Sequence, residues 1–492
     1  MGTESPFFDP ETFRSQGHRT VDQLADYLKQ AVCGGEMPVL PWADPESLLP
    51  QWPADFPEEP RERLGQLLDR VIAASNHLHH PRYIGHQVTS PLPIAAVCEL
   101  ASTLLNDAMA VYEMGPVGTV MERNVARWLA DRIAMPPGAD GIFTSGGSAG
   151  NLTALLSARA TMAGYDVWTE GLHAGPPLAF LVSEQAHYSV KRAVQVMGLG
   201  QRGIVPVPSD ASYRMRADAL PETLKKARAT GAKVLGVCVG SCSTATGRFD
   251  ALEPAADFCS KEGLWLHADG AHGASASLSP KYRHLVKGLG RADSVVWDAH
   301  KMLLMPALCT AVLFREGGNS FHSFAQHASY LFSGKRPEDE WYEGAIRTLE
   351  CTKRMMILPL YAALYCWGTR FFGDYVTQTF DLGHRFGEMV EAEKDFELPV
   401  KPDCNIVCFR WRPDGITGKA LDELQIAIRQ RLLENGSFYL VKTSLRDGFY
   451  LRVTIINPLT KETDLVDLLK AVREAGRALH AWPGGPVRAG GK

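Results

Sequence analysis

From about Val120 to Phe314, short apolar runs alternate with helix-forming stretches, and no other feature restricts the fold of this chain so strongly. Met121, Val125, Trp128 and Leu129 recur at helical spacing, and Gly141-Ile142-Phe143-Thr144 then reads as a strand. Further strands are expected at Leu178–Ser183, Val234–Val239, Leu264–Ala268, Ser294–Trp297 and Thr310–Phe314, with helices such as Leu220–Ala229 and Ala251–Glu262 between them. This order predicts an α/β unit with a mostly parallel sheet covered on both faces and ligands at the carboxyl ends of its strands.

The flanks have a different texture. Val21, Leu24, Ala25, Leu28 and Val32 form one apolar stripe on an otherwise polar helix, which needs something to lie on. Seven prolines between Pro38 and Pro60 oppose regular structure and favour an extended strap. Residues 1–100 are therefore expected to be a helical arm that packs on the main body or on a second subunit. The large domain is placed at 101–370. A long apolar helix, Met355–Trp367, leads toward a smaller C-terminal domain at 371–482, with strands near Ile406–Trp411 and Phe449–Ile456 and a last helix around Glu462–Leu479. Four glycines and two prolines in Pro483–Lys492 mark a tail expected to be disordered.

Composition excludes several functions. Fifty-one Lys and Arg balance 55 Asp and Glu for a net charge of -4, and neither a long basic run nor zinc-finger spacing points to nucleic acid. The ten cysteines include no C-x-x-C pair and read as core thiols, so no metal is expected. The longest apolar run, Met302–Phe314, is too short for a bilayer and contains Pro306; no apolar signal core opens the chain. The expectation is a soluble cytoplasmic protein whose partners are small molecules and copies of itself.

Four segments at strand ends carry chemistry. Asp293-Ser-Val-Val-Trp-Asp-Ala-His-Lys301 ends an apolar run in a lysine, whose burial would lower its pKa and make it an amine nucleophile. Taken alone, an ordinary surface lysine is as good a reading. Thr144-Ser-Gly-Gly-Ser-Ala-Gly-Asn151 joins a strand to a helix, and its glycines and free N–H groups suit a single phosphate monoester, or form only a tight turn. His187, in Ser183-Glu-Gln-Ala-His-Tyr-Ser189, stands either to lie flat on a heteroaromatic ring or to cap the next helix. Asp269, ending Leu264-Trp-Leu-His-Ala-Asp269, is costly to bury unless it meets a cation such as a protonated pyridine, or backbone amides.

Taken in order, phosphate loop, histidine, aspartate and lysine, with 32 residues from Asp269 to Lys301, resemble the group II pyridoxal-phosphate-dependent amino-acid decarboxylases. That family includes aromatic amino-acid, glutamate, cysteine sulfinate and diaminobutyrate decarboxylases. The likeness runs from His80-Pro-Arg-Tyr83 to Leu451-Arg-Val453, and Ser294, seven residues before Lys301, also fits. It implies the fold-type I architecture, a seven-stranded large domain beside a smaller one, and a homodimer with its site at the subunit interface. It further implies pyridoxal 5'-phosphate in Schiff-base linkage to Lys301, Asp269 on the pyridine nitrogen and His187 stacked on the ring. Gly147 and Ser148 would hold the phosphate with support from His300, Ala271 would pack on the ring's other face, and Ser243 or Thr244 would lie near the cofactor. Tyr83 and Gln87 would line the substrate pocket.

Two departures stand out. The family's Asn-Pro-His-Lys is here Asp298-Ala-His-Lys301, so position 298 would no longer donate a hydrogen bond to phosphate. In the family a loop tyrosine returns a proton to the substrate carbon after carbon dioxide leaves; the loop Phe332–Tyr342 offers Tyr342 as its match. The expected reaction is decarboxylation of an L-amino acid to an amine. Its rivals are an aldehyde-forming oxidative decarboxylase or other lyase on the same cofactor, and a non-catalytic relative. Arg82 and Lys191 do not decide the substrate, since surface cations are usually solvated.

Overall fold

The structure is a computed structural model that describes residues 8–52, 54–324 and 340–481. Two compact units divide the chain. One takes the chain up to His86, Arg385–Pro399 and the chain from Val407 onward; the other takes Gln87–His384 and Val400–Ile406.

The second unit is built on seven strands: β1 Asp140–Thr144, β2 Leu178–Ser183, β3 Ile204–Val207, β4 Lys233–Gly240, β5 Trp265–Asp269, β6 Ser294–Asp298 and β7 Thr310–Phe314. Their order is β1-β7-β6-β5-β4-β2-β3. β6, β5, β4, β2 and β3 are parallel, and only β7 runs against its neighbours β6 and β1. Every residue of β1, β2, β5, β6 and β7 is buried, as a sheet with both faces covered requires. The expected fold-type I sheet is thus present. β3, which the apolar pattern did not reveal, is a four-residue strand at the sheet edge containing Pro206, a place where the missing N–H costs no ladder bond.

Two buried ion pairs fasten the stretch beyond residue 340 to this core. Lys353 Nζ lies 2.7 Å from Glu122 on the helix Pro116–Arg132, and Arg347 lies 3.3 Å from Asp140 at the start of β1. The apolar helix is Ile357–Trp367, two residues shorter at its start than expected.

In the first unit the helix Pro10–Cys33 starts on Asp9, whose carboxylate accepts from the Thr12 N–H at 2.8 Å, with Pro10 at the position where proline suits a helix. Its apolar stripe stays open: Val21, Leu24 and Val32 are exposed. The proline-rich strap holds the helical turn Pro45–Leu48, again led by proline, and a tighter 3-10 turn at Leu49–Gln51. The second sheet has the order β10-β11-β9-β8, from Phe396–Glu397 (β8), Ile406–Trp411 (β9), Val441–Leu445 (β10) and Gly448–Thr454 (β11). The helices Gly418–Glu434 and Glu462–Ala481 accompany it. The tail from Pro483 lies outside the described residues.

Candidate active site

Asp269, Asp298 and the turn carrying His300 and Lys301 all leave the carboxyl ends of β5 and β6, because the two strands are parallel neighbours. Lys301 Nζ stands 3.0 Å from Asp298 Oδ2, and His300 Nε2 stands 3.5 Å from the same oxygen. The Thr310 hydroxyl, opposite Asp298 in the β6–β7 register, donates to Oδ1 at 2.6 Å. Burial pushes the Asp298 carboxyl upward, but Lys301, His300 and Thr310 outweigh it and hold it below the ordinary carboxylate range.

The lysine corrects the expectation from burial. Desolvation does pull its pKa down, yet the carboxylates of Asp298 and Asp269 outweigh that and hold the ammonium above its ordinary value. Lys301 is therefore a charged ammonium that must pass on a proton before its nitrogen can attack.

Asp269 is held from two sides. Ala271 N–H donates to its Oδ1 at 3.1 Å and Asn151 Nδ2 donates to its Oδ2 at 3.0 Å. Asn151 is the centre of a longer chain of bonds. Its Oδ1 faces His267 Nε2 at 2.9 Å, and since an amide oxygen only accepts, the His267 proton sits on Nε2. His267 Nδ1 then accepts from Ser294 Oγ at 2.9 Å, which in turn accepts from Trp265 Nε1. Complete burial pushes the His267 imidazole down to about 4, so it is neutral at physiological pH. On the other side Asn151 donates to Ser189 Oγ at 2.9 Å, and that oxygen lies 2.7 Å from His187 Nδ1. His187 caps the helix Tyr188–Val196 with this same nitrogen, and burial pulls its pKa below the ordinary value despite Asp269. The capping reading of His187 is thus met, and the cap fixes the position of its ring.

The glycine loop opens the helix Gly147–Met162, which starts at Gly146 with φ 106° and no side-chain cap, leaving its first N–H groups for another acceptor. A Cβ at Gly147 would lie 3.0 Å from both Asp298 carboxylate oxygens, so the loop and the β6 end face each other closely. Ser145 donates to Glu350 beside it. Ser243 is buried, its N–H on the Arg248 carbonyl and its hydroxyl accepting from Ala245.

The remaining expected residues lie apart from this cluster's bonds. Tyr83 belongs to the first unit, stacked on Tyr439 at 4.9 Å, whereas Gln87 opens the second unit with its Nε2 buried and unpartnered among the described residues. Tyr342 makes edge contacts with Tyr112 and Trp341; the rest of its loop, Phe332 to Asp339, lies outside the described residues apart from Glu340 and Trp341 at its end. Arg82 is engaged by Asp464 and Asp467.

These residues suit pyridoxal phosphate: a lysine for the aldehyde, an anchored carboxylate for the pyridine nitrogen, a fixed imidazole and an uncapped glycine-led helix start for the phosphate. Comparison with known proteins agrees. The model of the pyridoxal-dependent decarboxylase conserved domain matches residues 45–412. Cysteine sulfinic acid decarboxylase of Rattus norvegicus is 31% identical over 458 residues, covering 90% of this chain and 92% of that protein. The acidic amino acid decarboxylase GADL1 of Bos taurus is 29% identical, covering 89% and 86%. The crystal structure of mouse CSAD in apo form superposes with a TM-score of 0.86 at 27% identity, covering 94% of this chain and 99% of that one.

Proposed function

Because the chain belongs to the pyridoxal-dependent decarboxylase family, a pyridoxal-phosphate enzyme converting an amino acid to its amine and carbon dioxide, we infer that Lys301, Asp269 and His187 carry that reaction here. The observation supporting this most directly is that one amide, Asn151, anchors Asp269 and reaches His187 through Ser189. When bound, the cofactor supplies a ring that accepts the electrons left as the carboxylate departs.

The chain's own residues do the rest. Lys301 holds the cofactor by its aldehyde carbon after releasing its proton. Asp269 keeps a proton on the pyridine nitrogen, and its two hydrogen bonds hold it in place to do so. His187 would cover one face of the bound ring and Ala271 the other. Gly147 and Ser148 offer backbone N–H groups to the phosphate, with His300 and Ser243 beside it. Gln87 would contact the substrate, whose L configuration we take as given by the family.

Tyr342 stands at the end of the stretch that would supply the final proton. Its ring lies against those of Tyr112 and Trp341, which fix its place at the end of that loop. Tyr342→Phe would then yield aldehyde and peroxide in place of amine, with dissolved oxygen as the oxidant.

We further read the working form as a homodimer, which would cover the open stripe of Pro10–Cys33 and the apolar side of Pro93–Leu105, where Leu104 and Leu105 are each 66% exposed. The ten cysteines form no disulfide among the described residues, which supports a reducing, cytoplasmic setting. Among the described residues no helix is long and apolar enough to cross a membrane.

The test is release of amine and carbon dioxide from a panel of L-amino acids by the cofactor-loaded protein, with peroxide followed in parallel. Cysteine sulfinate and other acidic amino acids come first, since two similar proteins are named for them. Amine formation that disappears in Lys301→Ala is expected; turnover surviving that substitution would defeat the assignment.

A further inference from the structure

Asp298 places a carboxylate where the cofactor's phosphate has to arrive, and the chemistry above makes no use of it. It ends β6, is 2% exposed, and has both oxygens 3.0 Å from the Cβ position of Gly147. Gly147 opens the helix whose first N–H groups have no side-chain cap and can donate to a phosphate. A phosphate monoester is close to a dianion at neutral pH, so a carboxylate held against it in a buried pocket repels it. The asparagine usual at this place in the family would donate an N–H. A carboxyl group donates only when it carries a proton.

The charges around Asp298 decide what it can do. Lys301 Nζ at 3.0 Å and His300 Nε2 at 3.5 Å come from its own turn. The Thr310 hydroxyl at 2.6 Å and the Cys309 thiol come from β7 and the approach to it. His187 and, across Lys301, Asp269 complete the set. Lys301 is the strongest counter-ion, and it is also the group that must give up its proton when the cofactor is attached. The phosphate brings a second anion beside the carboxylate whether or not that proton has left.

We propose that Asp298 takes up a proton from solvent when the cofactor's phosphate binds, donating its new O–H to the phosphate, so that this chain holds its cofactor tightly at neutral pH and lets it go as the solution turns alkaline. This rests on the assignment of Gly147 and Ser148 to the phosphate. The proton makes Asp298 a functional substitute for asparagine while tying cofactor retention to pH, which an asparagine would not do.

The experiment uses pyridoxamine 5'-phosphate, whose amine cannot condense with Lys301, titrated calorimetrically into the cofactor-free full chain in two buffers of different ionisation enthalpy. At about pH 8, where the phosphate itself no longer titrates, wild type should take up about one proton more than Asp298→Asn on binding. Its affinity should fall by about tenfold per pH unit relative to that variant. His300→Gln should keep the uptake. Unphosphorylated pyridoxamine bound to wild type should show none, a comparison that serves even if Asp298→Asn fails to fold. Equal uptake by wild type and Asp298→Asn would overturn the proposal, as would uptake abolished by His300→Gln alone. No binding of pyridoxamine phosphate to wild type at any pH would overturn the phosphate assignment as well.

Discussion

Nδ2 of Asn151 lies 3.0 Å from Oδ2 of Asp269, and the two residues arrive from the helix after β1 and the end of β5. This bond makes Asn151 the hinge between the carboxylate and two imidazoles. Replacing it by leucine leaves Asp269 short of a donor and His267 Nε2–H without an acceptor in a dry site. A loss of about 1–3 kcal/mol in denaturant unfolding is expected, because a buried polar group without a partner keeps its full desolvation penalty. Cofactor affinity should fall in the same variant. Asn151→Asp should be worse than leucine for cofactor binding, since it sets a second carboxylate against Asp269.

His267 gives the fold an acid limit. Its imidazole is pushed down to about 4 in the folded chain from an ordinary 6.5, so the unfolded chain binds a proton that the folded chain refuses. Its contribution is fully present above 6.5 and is lost as pH falls from there toward 4, at about 1.4 kcal/mol per unit. His267→Gln should flatten that part of the stability-versus-pH curve, measured by urea unfolding at a series of pH values. A curve of unchanged slope would mean that other groups set the limit.

Lys353 and Glu122 are a buried pair at 2.7 Å, and breaking one side should hurt more than removing both. Lys353→Met strands Glu122, with an expected cost of about 3–5 kcal/mol. Lys353→Met with Glu122→Leu should recover much of it. Thermal melts of the two variants decide the matter.

For the homodimer, Leu104→Glu with Leu105→Glu places two charges on a face that the second copy is proposed to cover. Sedimentation should show wild-type dimer and mostly monomeric variant at micromolar concentration. A variant that sediments like wild type would place the interface elsewhere.

The large sheet was legible in the chain because its strands are apolar throughout, as at Leu178–Ser183 and Ser294–Trp297, and because turns and helices separate them regularly. β3 was not, since Ile204–Val207 is short and carries Pro206. β10 has an alternating burial pattern in a polar sequence, Val441-Lys-Thr-Ser-Leu445, and left no apolar run to see. The aspartate and lysine stood out by chemistry and spacing. Asn151 stood in the quoted loop without a role: only the fold brings it beside His267 and Asp269, 116 and 118 residues further on. The sign of the Lys301 shift was missed for a related reason. Burial was read alone, whereas two carboxylates oppose it: Asp298, three residues before the lysine on its own turn, and Asp269, which only strand pairing brings near.

The strand order carries a consequence for how the molecule is made. β1 is an edge strand whose one partner in the sheet is β7, the last of the seven to leave the ribosome. Asp140–Thr144 must wait, unpaired, for Thr310–Phe314 to emerge, a delay of roughly 10–30 s at ordinary rates of synthesis. The glycine loop that β1 carries is therefore set in place late, after β2 to β6 have had time to assemble. A nascent chain arrested before Thr310 would hold Asp269 and most of the sheet, yet have no finished seat for a phosphate.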